Sequence, residues 1–362
     1  MLSPRSAVRT LPAYHPPLAG RNGLRLDFNE NTVGTSARVL ARLRNLNAED
    51  LARYPEREPV EAKVAEFLRI DSSELLLTNG VDEAIHLLCD TYLQTAGEAM
   101  IVVPTYSMYR IYMMAAGAEV ISVETSDDFG FPTDKVLDAI TPRTRLIAIA
   151  NPNNPTGSLA PAPELLRVAR AAPESAILID EAYFEFCGQS LLGQFHEIPN
   201  LFVARTFSKA YGMAGLRVGV LAGHSDQMRA VRRVCSPYNV NAVALACLPE
   251  ALADECFIKT YVSEVLDSRT RLQGFLHANG IPYWPSQANF VLVRVGSSRE
   301  LAASFVEYIR SRGILVRDRS NDPGCEGCVR ITVGPREHTD RLLVALQQTI
   351  EQVAIAQGVT RA

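Results

Sequence analysis

The sequence has no apolar stretch as long as a bilayer-spanning helix, and residues 1–17 contain arginines and prolines but no apolar signal segment. It also lacks a long basic run, and its net charge at pH 7 is -4. We therefore expect neither nucleic acid nor an anionic membrane as a partner. The seven cysteines are odd in number and irregularly spaced. This pattern argues against a disulfide framework and favours the reducing environment of the cytoplasm.

Candidate metal ligands are equally scarce. Cys325 and Cys328 have the spacing of half a zinc site, but no second pair of ligands lies near them in the sequence. The sequence therefore predicts no bound metal ion.

Short apolar segments alternate with helical patterns through the middle of the chain. Seven strands are predicted, at residues 75–77, 101–103, 120–123, 146–149, 176–179, 201–204 and 218–221. Near-continuous apolar strands separated by helices are typical of a mostly parallel sheet that helices cover on both faces. Because 362 residues suffice for about two domains, we assign residues 50–254 to one large α/β domain.

A smaller α+β domain is predicted for residues 255–362. It has helical patterns at 255–277, 299–310 and 336–357, and apolar strands at 290–293, 314–316 and 329–333. Residues 1–49 are rich in loop signals and are predicted to form an arm that packs over another domain or a partner subunit. Ser225 or Asp226 is the predicted N-cap of the helix after strand 218–221.

The most informative stretch surrounds Lys209, which lies between two predicted buried strands. Hydroxyls precede this lysine, glycines follow it, and Arg217 lies eight positions further along the chain. Burial and a nearby cation both lower the pKa of an ammonium group, which frees the amine for covalent chemistry with a carbonyl. The alternative is an ordinary lysine on a surface loop.

Other unusual polar residues also follow apolar strands, where ligands of open α/β sheets collect. Asp180 ends a fully apolar strand, where a carboxylate is costly unless a cation meets it; a helix cap or structural ion pair is the alternative. Asn154 lies in a turn flanked by prolines, and turn formation alone would explain it. Val81 and Asp82 begin a helix whose free N–H groups suit a phosphate, although an ordinary helix start fits equally. Tyr106 opens an aromatic-rich helix and could be a core residue.

Together these residues match the needs of pyridoxal phosphate, a cofactor that acts as an electron sink. Lys209 would bond covalently to it, and Asp180 would keep its ring nitrogen protonated. Donors to the ring oxygen would be Asn154 and Tyr183. The remaining cofactor-binding residues would hold the phosphate: Val81, Asp82, Thr206, Ser208 and Arg217.

The chain resembles the fold-type I pyridoxal-phosphate aminotransferases over nearly its whole length. The motifs that carry this resemblance are residues 154–157 (Asn-Pro-Thr-Gly), 180–186 (Asp-Glu-Ala-Tyr-Phe-Glu-Phe) and 208–217 (Ser-Lys-Ala-Tyr-Gly-Met-Ala-Gly-Leu-Arg). The histidinol-phosphate aminotransferase branch is indicated by residues 29–31 (Asn-Glu-Asn), 53–56 (Arg-Tyr-Pro-Glu), 104–109 (Pro-Thr-Tyr-Ser-Met-Tyr) and 327–334 (Gly-Cys-Val-Arg-Ile-Thr-Val-Gly). The resemblance implies that Tyr106 stacks on the cofactor ring. It also implies a homodimer with shared active sites, in which Tyr54 reaches the neighbouring subunit's cofactor phosphate.

Substrate capture is assigned to the smaller domain and the arm. A guanidinium fork matches a carboxylate, so Arg330 is the predicted clamp for an α-carboxylate, and the resemblance places Arg317 at the substrate's own phosphate. Surface ion pairs are the alternative for both arginines. Tyr14 and Asn29 are predicted to assist. The sequence departs from the family pattern at Ala13, Thr32 and Val81.

The expected reaction is transamination, in which Lys209 moves a proton as general base and acid. The resemblance implies transfer from histidinol phosphate to 2-oxoglutarate, giving imidazole acetol phosphate and glutamate in histidine biosynthesis. An aromatic or other amino-acid aminotransferase and a threonine-phosphate decarboxylase remain open on the same scaffold. A non-catalytic ligand sensor is disfavoured because neither the short N-terminus nor the net charge offers a basic DNA-binding segment.

Overall fold

A computed structural model describes residues 2–9, 11, 13, 20–94 and 96–356. The helices are α1 (Ser6–Arg9), α2 (Ala37–Arg44), α3 (Ala48–Ala52), α4 (Glu58–Leu68), α5 (Gly80–Tyr92), α6 (Ser107–Ala116), α7 (Thr133–Asp138), α8 (Ala162–Ala171), α9 (Ser225–Arg232), α10 (Ala242–Ala253), α11 (Glu255–Ala278), α12 (Arg299–Ser311) and α13 (Arg336–Ala356). The strands are β1 (Leu24–Arg25), β2 (Leu75–Thr78), β3 (Glu98–Val103), β4 (Glu119–Glu124), β5 (Thr144–Ala150), β6 (Ala176–Asp180), β7 (Leu201–Thr206), β8 (Gly219–Gly223), β9 (Tyr283–Trp284), β10 (Phe290–Arg294), β11 (Ile314–Leu315), β12 (Arg317–Asp318) and β13 (Cys328–Thr332).

The large sheet has seven strands in the order β2-β8-β7-β6-β5-β3-β4. The pairs β4–β3, β3–β5, β5–β6 and β6–β7 are parallel. Strand β8 runs antiparallel to both of its neighbours, with Thr206 opposite Gly219. The predicted mostly parallel α/β sheet is therefore confirmed, and one reversed strand is inserted near its edge.

Alternate residues along these strands fill two separate apolar layers. In β2, Leu75 and Leu77 pack into one layer and Leu76 into the other, and all three are fully buried. Helices α5, α6 and α9 cover the layer that contains Leu76, while α4, α8 and α10 cover the opposite layer. Burying each such leucine contributes about 2 kcal/mol to folding. The continuous apolar strands predicted from the sequence thus reflect a sheet buried on both faces.

A second sheet, β12-β13-β10-β9, is antiparallel throughout and belongs to the C-terminal part of the chain. Strand β1 of the N-terminal segment pairs in parallel with β11, whereas α2 packs against α10. The N-terminal segment therefore contacts both the region of the large sheet and the region of the small one. Only Asp254 separates α10 from α11, and its side chain accepts a hydrogen bond from the Phe257 amide at 3.3 Å. The proposed domain limits at residues 49/50 and 254/255 remain predictions.

One local prediction was wrong, and one strand was not predicted. The N-cap of α9 is His224, whose Nδ1 accepts the Asp226 amide at 3.3 Å, while Ser225 is already helical. The predicted strand 314–316 is present as β11, which ends at Leu315 and pairs with β1, whereas the unpredicted strand β12 after it pairs with β13. The chain changes partners between these two strands, and apolar periodicity alone does not reveal such a switch.

Across the described ranges, no helix combines the length and the apolar character needed to cross a membrane.

Candidate active site

A cavity of about 720 Å³ opens beyond the carboxyl ends of β5, β6 and β7. Parallel strands end at one edge of a sheet, so polar residues that follow them meet there. Thirteen of the residues predicted for the site line this cavity: Asn29, Val81, Asp82, Tyr106, Asn154, Asp180, Tyr183, Thr206, Ser208, Lys209, Arg217, Arg317 and Arg330. The structure therefore brings together side chains that lie more than 300 positions apart in the sequence.

Two predicted site residues are not among those lining the cavity. Tyr54 is 78% exposed and stacks on Tyr238 with ring centroids 4.3 Å apart. Its contact with a neighbouring subunit's site stays a prediction. Tyr14 lies outside the described residues.

Lys209 projects into the cavity from the loop between β7 and β8, where its Nζ donates a hydrogen bond to the Phe28 carbonyl at 3.1 Å. Burial lowers the pKa of this amine to about 8, helped by the positive charges of Arg330 and Arg217. The amine is thus more readily deprotonated near neutral pH than an exposed lysine. A neutral amine in a cavity can attack a carbonyl or accept a proton.

Asp180 ends β6 and is buried at the floor of the cavity. Its Oδ1 accepts the Ala182 amide at 3.0 Å and its Oδ2 accepts the Tyr109 hydroxyl at 2.6 Å. Burial raises its pKa to about 6, against the opposing effect of these hydrogen bonds. A carboxylate retains further lone pairs, so Asp180 can also face a protonated ring nitrogen. No role for Tyr109 was predicted from the sequence.

A second part of the cavity, at the start of helix α5, has the character of a phosphate cradle. Helix α5 begins there at Gly80, whose φ of +74° favours glycine; the absence of a Cβ also leaves room for Nη2 of Arg217, which would lie 2.6 Å from it. Arg217 pairs with Asp82 at 3.0 Å, and the Tyr106 hydroxyl donates to the same carboxylate at 2.8 Å. Free amides of the first helical turn and a guanidinium together attract an anion.

One further observation indicates that the cradle fits a phosphate. The Ser208 Oγ is buried and has no hydrogen-bond partner among the described residues. The neighbouring Thr206 Oγ1 accepts the Ser208 amide at 3.1 Å. A buried hydroxyl without a partner is unfavourable, and an anion in the cradle would supply the acceptor. The residues present therefore fit pyridoxal phosphate at both of its ends.

Arg330 lies in β13 and is 5% exposed. Its guanidinium donates to Asn154 Oδ1 at 2.5 Å and to the Asp27 carbonyl at 2.8 Å, and its Nε has no partner in the described part of the chain. Burial, together with neighbouring guanidinium groups, lowers its pKa to about 10. It makes no ion pair with a described carboxylate, which is unusual because buried charges are normally paired. This arrangement favours an anionic ligand.

Arg319 was missed by the sequence analysis although it lines the same cavity. It follows Arg317 by two positions, and its Nε pairs with Asp322 Oδ2 at 2.5 Å. The guanidinium of Arg317 lies 5.3 Å from the centre of the Phe28 ring. Alternation along a short strand would have indicated that Arg317 and Arg319 share a side. Three arginines therefore surround one end of the cavity.

Asn29 and Tyr183 form one hydrogen-bonded group next to this cationic end. Asn29 Nδ2 donates to the Tyr183 hydroxyl at 2.9 Å, and Asn29 Oδ1 accepts from the Thr332 hydroxyl at 3.1 Å. The phenol ring of Tyr183 packs edge-on against Phe290 at 5.1 Å. Burial raises the pKa of Tyr183, so its hydroxyl stays protonated and can donate a hydrogen bond into the cavity.

Cys325 and Cys328 are free thiols buried in a small apolar cluster with Phe129, Leu292 and Trp284. Among the described residues, no group of three or more His, Cys, Asp and Glu side chains could hold a metal ion. Burial raises the pKa of both thiols, so they behave as small apolar side chains.

Behind the site, Glu185 carries a buried Oε2 with no described hydrogen-bond partner. Burial raises its pKa from 4.5 to about 7. The folded chain thus holds this proton more tightly than the unfolded chain, and stability falls as pH rises from about 4.5 to about 7. We expect Glu185→Gln to raise the free energy of unfolding by up to about 3 kcal/mol at pH 8 and to leave it unchanged at pH 4.5.

Urea unfolding of the ligand-free protein at these two pH values measures this effect. The exposed Glu264→Gln on α11 is the matched control and should change stability at neither pH. An equal effect of Glu185→Gln at both pH values would contradict the assignment.

Comparison with known proteins agrees with this geometry. The model of the family "Aminotransferase class I and II" matches residues 21–346. The histidinol-phosphate aminotransferase of Paracoccus denitrificans is 34% identical over 361 residues, which cover 98% of this chain and 97% of the relative. That of Roseobacter denitrificans is 36% identical over 331 residues, covering 89% of this chain and 90% of the relative.

Among solved structures, the chain resembles the histidinol-phosphate aminotransferase of Sinorhizobium meliloti in complex with pyridoxal-5'-phosphate. The TM-score is 0.88 at 26% identity, and the match covers 97% of this chain and 98% of that one. A family match over most of the chain, relatives of more than 30% identity and a shared fold lead to one conclusion. This chain belongs to the class I and II aminotransferase family.

Proposed function

We propose that this chain is a pyridoxal-phosphate-dependent aminotransferase that transfers the amino group of histidinol phosphate to 2-oxoglutarate. The observation that carries the proposal is the buried Arg330, which has no described carboxylate partner and lines one cavity with Lys209 and Asp180. A phosphorylated or carboxylated substrate would supply the missing negative charge. The relatives named above support the choice of donor.

The charge at the cationic end favours a phosphate over a single carboxylate. Arg317, Arg319 and Arg330 line it, and Asp322 pairs with Arg319. A phosphate monoester carries a charge of about -1.5 to -2 at neutral pH, whereas an α-carboxylate carries only -1. A dianion therefore gains more from several convergent guanidinium groups.

When bound, pyridoxal phosphate provides a conjugated ring that accepts the electron pair released as a substrate C–H bond breaks. The chain would contribute the remaining parts. Lys209 anchors the cofactor and, once displaced, moves a proton at the substrate's Cα. Asp180 holds positive charge at the ring nitrogen, while Asn154 and Tyr183 orient the ring oxygen. Val81, Asp82, Thr206, Ser208 and Arg217 hold the phosphate, and Tyr106 covers the ring.

The proposal includes a homodimer in the cytoplasm. The exposed pair of stacked rings, Tyr54 and Tyr238, supports a contact with a second copy, since Tyr54 is 78% exposed. All seven cysteines are free thiols, which supports a reducing compartment.

A panel of amino donors tests the proposed reaction. Purified protein supplied with pyridoxal phosphate and 2-oxoglutarate is assayed with histidinol phosphate, phenylalanine, tyrosine and threonine phosphate. We expect kcat/KM for histidinol phosphate to exceed that for the aromatic amino acids by at least about 100-fold, because the cavity discriminates by charge. Glutamate formation is the measurement.

Two results would contradict the proposal. Equal or faster turnover of phenylalanine or tyrosine would indicate an aromatic aminotransferase. Release of carbon dioxide from threonine phosphate without formation of an oxo product would indicate a decarboxylase.

A further inference from the structure

Tyr109 is a fully buried residue whose hydroxyl reaches the active site, although no role was predicted for it from the sequence. It lies in the first turn of α6, three positions after Tyr106, and its side chain is 0% exposed. The two rings meet edge-on with centroids 5.6 Å apart. The Tyr109 hydroxyl donates to Asp180 Oδ2 at 2.6 Å, the short distance typical of a bond to an ionised acceptor.

The start of α6 therefore contacts two acidic residues that line the cavity. Tyr106 donates to Asp82 at the phosphate cradle, and Tyr109 donates to Asp180 at the floor. The Ala182 amide donates a hydrogen bond to the other oxygen of Asp180. The carboxylate is therefore held at both oxygens and cannot rotate without losing a hydrogen bond. A rigid hold of this kind is what precise orientation of a bound group requires.

We propose that Tyr109 is a positioning residue that holds the Asp180 carboxylate ionised and fixed toward a heteroaromatic nitrogen bound in the cavity. The inference rests on the proposed function, because it presupposes a pyridine-type ring at this place. Tyr109 acts through Asp180 and is not itself a catalytic residue.

The electrostatics support this role. Titratable groups from three elements act on Asp180. They are Tyr106 at the N-cap of α6, Tyr109 on α6, Asp82 on α5, and Glu181 and Tyr183 after β6. Burial and the negative charges of Asp82 and Glu181 raise the pKa of Asp180, and the Tyr109 hydrogen bond opposes the rise. Without this donor, a larger fraction of Asp180 is protonated at neutral pH, and a neutral acid cannot stabilise a cationic nitrogen.

Tyr109→Phe tests the inference because it removes the hydroxyl and keeps the packed ring. We expect the affinity for pyridoxal phosphate to fall about tenfold, the size of a lost hydrogen bond to a charged group. The pH midpoint of the bound cofactor's long-wavelength absorbance should rise by about 0.5 to 1, since less positive charge is held at its ring nitrogen. We also expect kcat to fall while KM for the donor stays within about twofold.

Tyr112→Phe on the same helix is the matched control. Its ring stacks on His86 with centroids 5.3 Å apart, and it does not line the cavity, so affinity and midpoint should match the wild type. A second comparison uses Asp180→Ala. If Tyr109 acts through Asp180, Tyr109→Phe should cause no further loss of cofactor affinity in that background.

A variant that changes the donor strength of the hydroxyl completes the test. Incorporating 3-fluorotyrosine at position 109 keeps ring and hydroxyl but makes the hydroxyl a stronger donor, and the absorbance midpoint should then fall. Unchanged cofactor affinity and unchanged midpoints in both position-109 variants would overturn the inference. Failure of the wild-type chain to bind pyridoxal phosphate would overturn the proposed function as well, so the two failures are distinguishable.

Discussion

Replacing Lys209 with alanine is expected to abolish covalent capture of pyridoxal phosphate and to reduce transamination by about 10⁴-fold or more. Among the described residues that line the cavity, Lys209 is the only lysine. Its amine reaches the Phe28 carbonyl, its pKa is lowered to about 8, and it would both anchor the cofactor and move the proton at the substrate's Cα. No other described side chain in the cavity offers a primary amine.

Borohydride reduction followed by peptide mass analysis measures the capture directly. The wild type should carry the cofactor's mass on the peptide that contains Lys209, and the variant should carry none there. Lys259→Ala is the control, because that lysine is exposed and pairs with Glu255 on the surface of α11. A label on another lysine, or normal turnover by Lys209→Ala, would refute the role.

The pH dependence of capture gives a second measure of the same amine. Only the neutral amine attacks an aldehyde, so the capture rate should rise about tenfold per pH unit and level off near pH 8, the pKa of Lys209. A rate that continues to rise up to about pH 10.5 would indicate an ordinary, solvated lysine.

Arg330→Met is expected to lower kcat/KM for histidinol phosphate by about 10³-fold, because the substrate's anion loses a buried, hydrogen-bonded partner. The loss should be larger than for Arg317 or Arg319, since Arg330 is the buried guanidinium with an unpaired Nε and no described carboxylate. Steady-state kinetics with both the phosphorylated donor and 2-oxoglutarate measure it.

Stability should respond in a different way from activity. Replacing a buried cation that has no counter-ion by an apolar side chain of similar length is often neutral or stabilising. We therefore expect the ligand-free Arg330→Met variant to melt within a few degrees of the wild type. The matched control is Arg294→Met in the same small sheet, where the guanidinium lies 5.3 Å from the Trp284 ring, outside the cavity.

A loss of folding in Arg330→Met would indicate a structural role instead. Arg330→Lys distinguishes the effect of the positive charge from that of the bidentate guanidinium, because it keeps the charge and loses the bidentate donor. The activity of this variant should remain well below that of the wild type.

The fold and the central residues of the site were predictable because short sequence patterns indicate them. One apolar run ends in Asp180 and another leads to Lys209. Both are strands of a parallel sheet, so both side chains lie at the same edge of that sheet whatever the arrangement of the other elements. The helix start at Val81 and Asp82 was likewise predicted from local residue types, and α5 begins at Gly80.

The parts that were missed depend on how separate elements approach one another. Tyr109 follows Tyr106 by three positions and has the sequence character of a core aromatic. Only the packing of α6 against β3, β4 and α5 brings its hydroxyl to Asp180 at the end of β6. Arg319 enters the cavity because β12 pairs with β13 rather than continuing β11. His224 replaces the predicted serine cap because the helix begins one residue earlier than the serine signal suggested.

The reversed direction of β8 has a consequence for how this enzyme tolerates change in chain length. Since β7 and β8 are adjacent and antiparallel, the segment carrying Lys209 leaves and re-enters the sheet between directly opposed residues, Thr206 and Gly219. Within the segment, the Met213 amide donates to the Phe207 carbonyl and the Gly212 amide donates to the Lys209 carbonyl, so an insertion or deletion here would break these hydrogen bonds and displace the amine. Length variation in a lineage of such enzymes should therefore accumulate in surface connections and spare residues 207–218.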